Sequence, residues 1–157
     1  MKKIIRNGIP FKARLLPDAN PLVEKFINYL MLDGKKSIAR KIFNDTLTLL
    51  KKDNAKPLDV FKNAVEQASP SIEVRSKRVG GGVYQVPTEV NPNRQLILAF
   101  RWIRENARKI KGKKMAKKLA LILTETAKGE GPVLKKKEEV HKMAAANRAF
   151  AHLARHN

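Results

Sequence analysis

The sequence predicts a mainly α fold, a single helical domain of about six helices with one protruding β-hairpin. Three observations carry that expectation. Apolar residues recur at helical spacing over most of the chain, the pattern switches once to β-branched residues around Gly80-Gly81-Gly82, and neither a linker nor an internal repeat divides the 157 residues. A chain of this length buries a core without a metal or disulfide staple, and with no cysteine it has neither a disulfide nor a Cys-based zinc site.

Residues 1–19 read as a basic arm, with Lys2, Lys3, Arg6, Lys12 and Arg14 spaced along it and Gly8, Pro10 and Pro17 breaking regular structure. The first helix is expected to start at Asn20, a good N-cap, with Pro21 at the position where a missing N–H costs nothing. Leu22, Val23, Phe26, Ile27, Leu30 and Met31 then form one apolar face, and Gly34 ends it. A second helix, from about Lys35 to Lys52, places Ala39, Ile42, Phe43, Leu47 and Leu50 inside; Pro57 opens a third with Leu58, Phe61, Val65 and Ala68 in register, and Pro70 ends that. Residues 72–90 read as a hairpin, Ile72–Val79 and Val83–Val90, with the three glycines as a flexible tip. Pro87 denies a ladder hydrogen bond, which favours an exposed two-stranded ribbon over a larger sheet. Helices resume at Pro92, where Leu96, Phe100, Ile103, Ala107 and Ile110 make a stripe that Gly112 breaks. A fifth runs from about Lys114 to Lys128 with Ala116, Leu119, Ala120 and Leu123 inside. A sixth is expected over 134–155, with Val140, Met143, Ala144, Asn147, Ala151 and Ala154 on one side.

Charge points to the partner. Lys plus Arg total 34 against 14 Asp plus Glu, for +20 at pH 7. Such an excess repels itself and calls for a polyanion, of which nucleic acid is the favoured one. No apolar run approaches the about 18 residues of a spanning helix, and Ile4-Ile5 is too short for a signal peptide; no membrane association is expected, and the location reads as cytoplasmic.

The basic residues are also ordered. Arg94, Arg101, Arg104, Arg108 and Lys111 line the fourth helix, and each of the last four follows an apolar position, so it lies about 100° round the helix from it. A solvated face usually mixes in acids at i,i+4, whereas here Glu105 stands alone, so phosphate binding is the favoured reading. On the hairpin Arg75 and Lys77 share one face and Arg78 the other, so neither side is expected to pack near the tip. Tyr84 either packs across the strands or stacks on a base. Lys113, Lys114, Lys117 and Lys118 crowd the start of helix five, and Lys135, Lys136 and Lys137 that of helix six; cations there oppose the helix dipole, which an external anion would explain.

Enzyme readings find little support. Gly34-Lys35-Lys36-Ser37 lacks the upstream glycine of a phosphate loop, since Tyr29 stands there, and Gly80-Gly81-Gly82 precedes no helix. His152 and His156 are spaced for a metal but have no third ligand nearby, and the acids read as scattered surface positions. No catalytic residue, metal or cofactor is expected. Composition alone still admits a DNA-binding nucleoid protein, or an RNA-modifying enzyme or its subunit.

Specific segments carry a resemblance. They are Asn20-Pro21-Leu22 through Phe26-Ile27 to Gly34-Lys35-Lys36, Ile42-Phe43 with Thr46, Val74-Arg75-Ser76-Lys77-Arg78-Val79-Gly80-Gly81, and Tyr84-Gln85-Val86-Pro87. Arg101-Trp102-Ile103, Lys114-Met115-Ala116, and Val140-His141-Lys142-Met143-Ala144 through Asn147, Ala149, Phe150, Ala151 and His152 follow in order. The chain thereby resembles the bacterial-type small-subunit ribosomal protein seven family from about Leu16 to Arg155. Residues 1–13 do not follow the pattern; Ala19 stands where the family often has Pro, and Ala145 where it often has Glu. The resemblance implies a non-catalytic primary RNA-binding protein that organises the 3′ head domain of the small-subunit ribosomal RNA. It implies a hairpin and last helix near the exit-site transfer RNA, neighbouring proteins of the head and platform, and in some bacterial members repression of their own messenger RNA. By position it implies an RNA surface of Lys35, Lys36, Arg75, Lys77, Arg78, Arg94, Arg101, Arg108, Lys113, Lys114 and Met115, with Arg148 and His152 on the last helix and Trp102 in the core. Bacterial and organellar ribosomes both fit. The helix-four stripe is expected to carry more of the RNA affinity than the hairpin, which reads as a projecting arm.

Overall fold

The computed structural model describes residues 20–53 and 56–155; the basic arm read over residues 1–19 lies outside the described residues. The helices are α1 (Pro21–Leu30), α2 (Lys36–Asp53), α3 (Pro57–Ala68), α4 (Pro92–Lys109), α5 (Met115–Ala127) and α6 (Pro132–Ala146). Strands β1 (Ile72–Val79) and β2 (Gly82–Glu89) intervene between α3 and α4, and a 3-10 helix (Arg148–Arg155) follows α6. The fold is thus mainly α with one antiparallel hairpin, as the sequence predicts.

Local chemistry sets the helix starts. Asn20 caps α1 by accepting the Leu22 N–H at 3.0 Å, and prolines occupy the first helical position of α1, α3, α4 and α6. Packing then fixes their arrangement. Phe26, Phe43, Phe61 and Phe100, one from each of α1 to α4, are fully buried and meet edge-on or tilted, with ring centroids 5.1–5.7 Å apart. Leu119, Ile122 and Leu123 of α5 complete the core, and α5 packs against α2, α3 and α4. Truncating one such ring to alanine costs about 3–5 kcal/mol. Thr46 and Thr126 are buried without strain, because each hydroxyl donates to the carbonyl four residues back, at 2.8 and 2.7 Å.

The hairpin differs from its sequence reading in two details. Val79 pairs with Gly82, so the tip is a two-residue turn, Gly80-Gly81, with φ of 56° and 87°. Positive φ at both central residues is the turn that matches the twist of paired strands and demands glycine. Gly82 is paired, and a Cβ there would lie 2.9 Å from the Tyr84 ring, so the third glycine makes room for that ring rather than lengthening the tip. Pro87 lies opposite Val74, and Val90 N–H donates to Ser71 O at 3.0 Å. The alternation of hydrogen-bonded pairs from there places Pro87 where an N–H would point away from β1, so it removes no ladder bond.

Two expectations about helices are corrected. Leu58 is 40% exposed, since α3 turns Ala64 inward instead. The helix expected over 134–155 begins at Pro132, with Val133 buried, and ends at Ala146. Asn147 donates its side-chain amide to Met143 O at 2.8 Å and leaves helical geometry with φ −99° and ψ 16°. Beyond it the chain winds as a 3-10 helix, so the expected inner stripe stops at Ala144: Met143 is 47% exposed, and Ala151 and Ala154 are exposed.

Glu24 ties α1 to α2. Both its oxygens accept from Arg40 Nη2, at 3.0 and 3.2 Å, and Lys36 Nζ lies 3.2 Å away. Burial alone would raise the Glu24 carboxyl, but hydrogen bonds from Lys36 and Arg40, with their charges, hold it below the ordinary 4.5. A folded pKa below the unfolded one gives stability that is fully present above about pH 4.5 and is lost as pH falls through the folded value. The two cations are 41% and 39% exposed, so the contribution is about 1 kcal/mol or less. Glu24→Gln is therefore expected to lower the thermal midpoint slightly at pH 7, with the gap to the parent closing as pH falls below about 4.5. A gap that stays constant across that titration would show that the charge of Glu24 contributes nothing.

Candidate nucleic-acid interface

α4 turns Leu98, Ala99, Phe100, Trp102, Ile103 and Ala107 inward, which leaves its arginines at the rim of the packed face. The structure then divides the basic stripe. Arg104 Nη1 donates to Tyr29 O at 3.1 Å, and Arg108 Nη2 to Leu30 O at 3.4 Å. Those are the last two carbonyls of α1, which have no partner within their own helix and carry the negative end of its dipole. Arg104 is also 3.6 Å from Glu105. Arg94 Nε donates to Glu73 Oε2 at 3.2 Å. Lys111 lies beyond the end of α4, in the turn to α5. Of the five, only Arg101 is both on α4 and without an acceptor among the described residues; it is exposed.

The turn into α5 is basic and unpaired. Lys111, Lys113, Lys114 and Lys117 are exposed and Lys118 half-buried, none with an acceptor among the described residues. Lys114 is the N-cap of α5 but makes no side-chain capping bond, and the first turn holds no acid. Met115 is half-buried against the core, so its side chain serves packing.

The hairpin has one covered face and one open face. Glu73, Arg75 and Lys77 share a face with Val86 and Tyr84; Glu73 and Val86 are buried. Tyr84 stacks at a tilt on Phe150, centroids 5.2 Å apart, and Lys77 Nζ donates to Leu153 O at 2.9 Å. The 3-10 helix thus packs on this face close to the tip, which corrects the expectation that neither side does, and Tyr84 finds its ring partner on that helix rather than across the strands. The other face carries Ser76 and Arg78 with Gln85 and Val83. Gln85 Nε2 donates to Ser76 Oγ at 3.2 Å, and Arg78 is exposed with no acceptor among the described residues.

The remaining candidates are dispersed. Lys35 is exposed at the α1–α2 turn, whereas Lys36 pairs with Glu24. Lys135, Lys136 and Lys137 sit in the second turn of α6, since that helix opens at Pro132, and do not crowd its first N–H groups. Lys136 pairs with Glu139 at 3.0 Å. Lys137 Nζ donates to Gln67 O near the end of α3 at 2.7 Å, and burial lowers its pKa. Arg148 is exposed; His152 Nδ1 lies 2.8 Å from Ala149 O. His156 lies outside the described residues, among which no cluster suited to a metal occurs.

Sequence reasoning missed Glu73. It reads as one more surface acid, yet it is 7% exposed and accepts from both Arg75 and Arg94. Its alternation with Arg75 on one strand face was the available signal.

Comparison with known proteins follows the same direction. The sequence pattern of the family described as ribosomal protein S7p/S5e matches residues 5–148. The chain is 47% identical over 152 residues to small ribosomal subunit protein uS7 of Salinibacter ruber, covering 94% of this chain and 97% of that one. It is 50% identical to the uS7 of Polynucleobacter asymbioticus and 49% to that of Cupriavidus metallidurans, each over 151 residues, 94% of this chain and 96% of theirs.

The division of the stripe is testable by stability alone. Arg104→Gln removes a charged donor from a helix end and is expected to cost about 1–2 kcal/mol, or about 2–8 °C in thermal midpoint. Arg101→Gln is expected to leave the midpoint within about 1 °C, as for a surface change without a partner. Equal shifts for the two would erase the distinction.

Proposed function

The chain belongs to the ribosomal protein S7p/S5e family, and on that premise we propose that it is a primary binder of small-subunit ribosomal RNA that organises the 3′ head domain. As a family member it is a structural, non-enzymatic constituent of the small ribosomal subunit. No helix among the described residues is long and apolar enough to cross a membrane.

The observation that carries the finer reading is a group of cations without protein acceptors on neighbouring sequence positions and on the hairpin: Arg101 on α4, Lys111, Lys113, Lys114, Lys117 and Lys118 around the start of α5, and Arg78 on the open hairpin face. Exposed cations on rigid elements neutralise converging phosphates and release condensed counterions, which supplies affinity; the fixed spacing of the elements selects an RNA shape. Arg104, Arg108 and Lys137 support this surface from behind by holding helix ends. The projecting hairpin and the 3-10 helix against it suit an arm bordering the exit-site transfer RNA, and the exposed side of α6 with Arg148 suits neighbouring head and platform proteins. The same phosphate-binding surface would serve if the protein represses its own messenger RNA.

The test is binding to an isolated head-domain fragment of a bacterial small-subunit ribosomal RNA. Tight binding is expected, with the logarithm of affinity falling by about 0.7–0.9 per phosphate bound for each tenfold rise in salt. Arg101→Glu is expected to weaken binding and flatten that slope while the protein stays folded. Equal affinity for an unrelated structured RNA of the same length would overturn the specific reading.

A further inference from the structure

We propose that Glu73 is a positioning residue for RNA binding: its buried carboxylate pins Arg75 and Arg94 side by side as a preformed phosphate site where the hairpin meets α4. This rests on the RNA-binding function above and adds to it the role of an acid within a basic surface.

Glu73 lies in β1, two residues before Arg75 and on the same strand face. Oε1 accepts from Arg75 Nε at 2.6 Å and also from Arg75 Nη2; Oε2 accepts from Arg94 Nε at 3.2 Å. One carboxylate therefore bridges a strand and a helix, through residues 21 apart in sequence. The burial is asymmetric. The Glu73 side chain is 9% exposed, whereas those of Arg75 and Arg94 are 61% and 39% exposed. The acid is inside and the cations face out.

Donor accounting points the same way. Each guanidinium carries five N–H groups. Arg75 directs its Nε and one Nη at Glu73 and Arg94 only its Nε, so Nη1 of Arg75 and both Nη groups of Arg94 meet no acceptor among the described residues. Without the carboxylate two guanidinium groups this close would repel and scatter among rotamers. With it they keep a net charge of +1 and fixed planes, so the ordering cost of a two-arginine anion site is met before the anion arrives. A phosphate offers the several oxygens that such a fork-shaped donor set matches.

The decisive variant is Glu73→Gln. The amide keeps the shape, but its NH2 cannot accept from an arginine. The change raises the formal net charge from +20 to +21, so a simple sum of charges requires tighter RNA binding. Positioning requires the opposite: weaker binding to the head-domain fragment, and a salt slope shallower by about 0.7–0.9 for each phosphate no longer bound. The double variant Arg75→Gln with Arg94→Gln is expected to show the same weakening, and adding Glu73→Gln to it no further change in slope. Thermal midpoints of all variants show that each is folded at the assay temperature. Tighter binding by Glu73→Gln would mean that the acid competes with phosphate for the arginines, and an unchanged slope would mean that Glu73 is only a structural tie; either overturns the proposal. The same series on poly(U), which asks only for a basic surface, reads the slope difference even if the head-domain fragment is not recognised, so the two readings fail separately.

Discussion

The packing of Phe26, Phe43, Phe61 and Phe100 is the constraint on which the rest of the structure depends. Each of the first four helices contributes one ring, and Phe26 touches the other three at 5.1–5.7 Å. Edge-on and tilted ring pairs of this kind add about 0.5–1.5 kcal/mol apiece to the burial of the rings, and their geometry restricts how the helices rotate about their axes. The rotation of α4 is what matters outside the core. With Phe100 inward, and Tyr29 tilted on it at 5.8 Å, the guanidinium groups of Arg104 and Arg108 come to the end of α1.

A chain with 34 cations and 14 acids must hold its elements together against its own charge. The structure meets this by using backbone carbonyls as acceptors. The ends of α1 and α3, at Tyr29, Leu30 and Gln67, take Arg104, Arg108 and Lys137, where the helix dipole favours a cation and no acid is needed. The few acids placed in protected positions, Glu24 and Glu73, each gather two cations and join two elements. The cations left without an acceptor include a run around the start of α5, Arg101 and, on the open hairpin face, Arg78. Net charge thus becomes a surface property, and the interior ties consume little of it.

Much of this was legible in the sequence because it is local. Asn20-Pro21, Pro57 and Pro92 mark helix starts through backbone chemistry, and the periodic stripes of α1 and α4 put Phe26 and Phe100 inside. The pairing of Ile72–Val79 with its partner strand follows from β-branched composition and the glycine turn. Illegible were the features decided by a distant partner. Nothing around Arg104 announces the carbonyl of a residue 75 positions earlier, and Leu58 fits the stripe of α3 but stays 40% exposed. Glu73 looks like any strand acid until α4 brings Arg94 to it. The family resemblance named a set of basic residues but not which of them the protein itself occupies.

The end of α6 shows how a local change of winding serves a distant element. An isolated two-stranded ribbon is marginal in water, so this one needs cover along its length. Its base is tied by Glu73 to α4, but Tyr84 lies only two residues from the turn, beyond that tie. An α-helix advances about 100° per residue and a 3-10 helix about 120°, so three residues past Asn147 the two paths differ by about 60° in side-chain direction. Phe150 is that third residue, and it meets Tyr84. The longer rise of the 3-10 helix then carries Leu153 O to Lys77 on the same ribbon face. The break that Asn147 introduces therefore converts a helix end into a brace. The ribbon is stiffened on one side and left with Ser76, Arg78 and Gln85 exposed on the other, so it can project without first having to be ordered by whatever it meets.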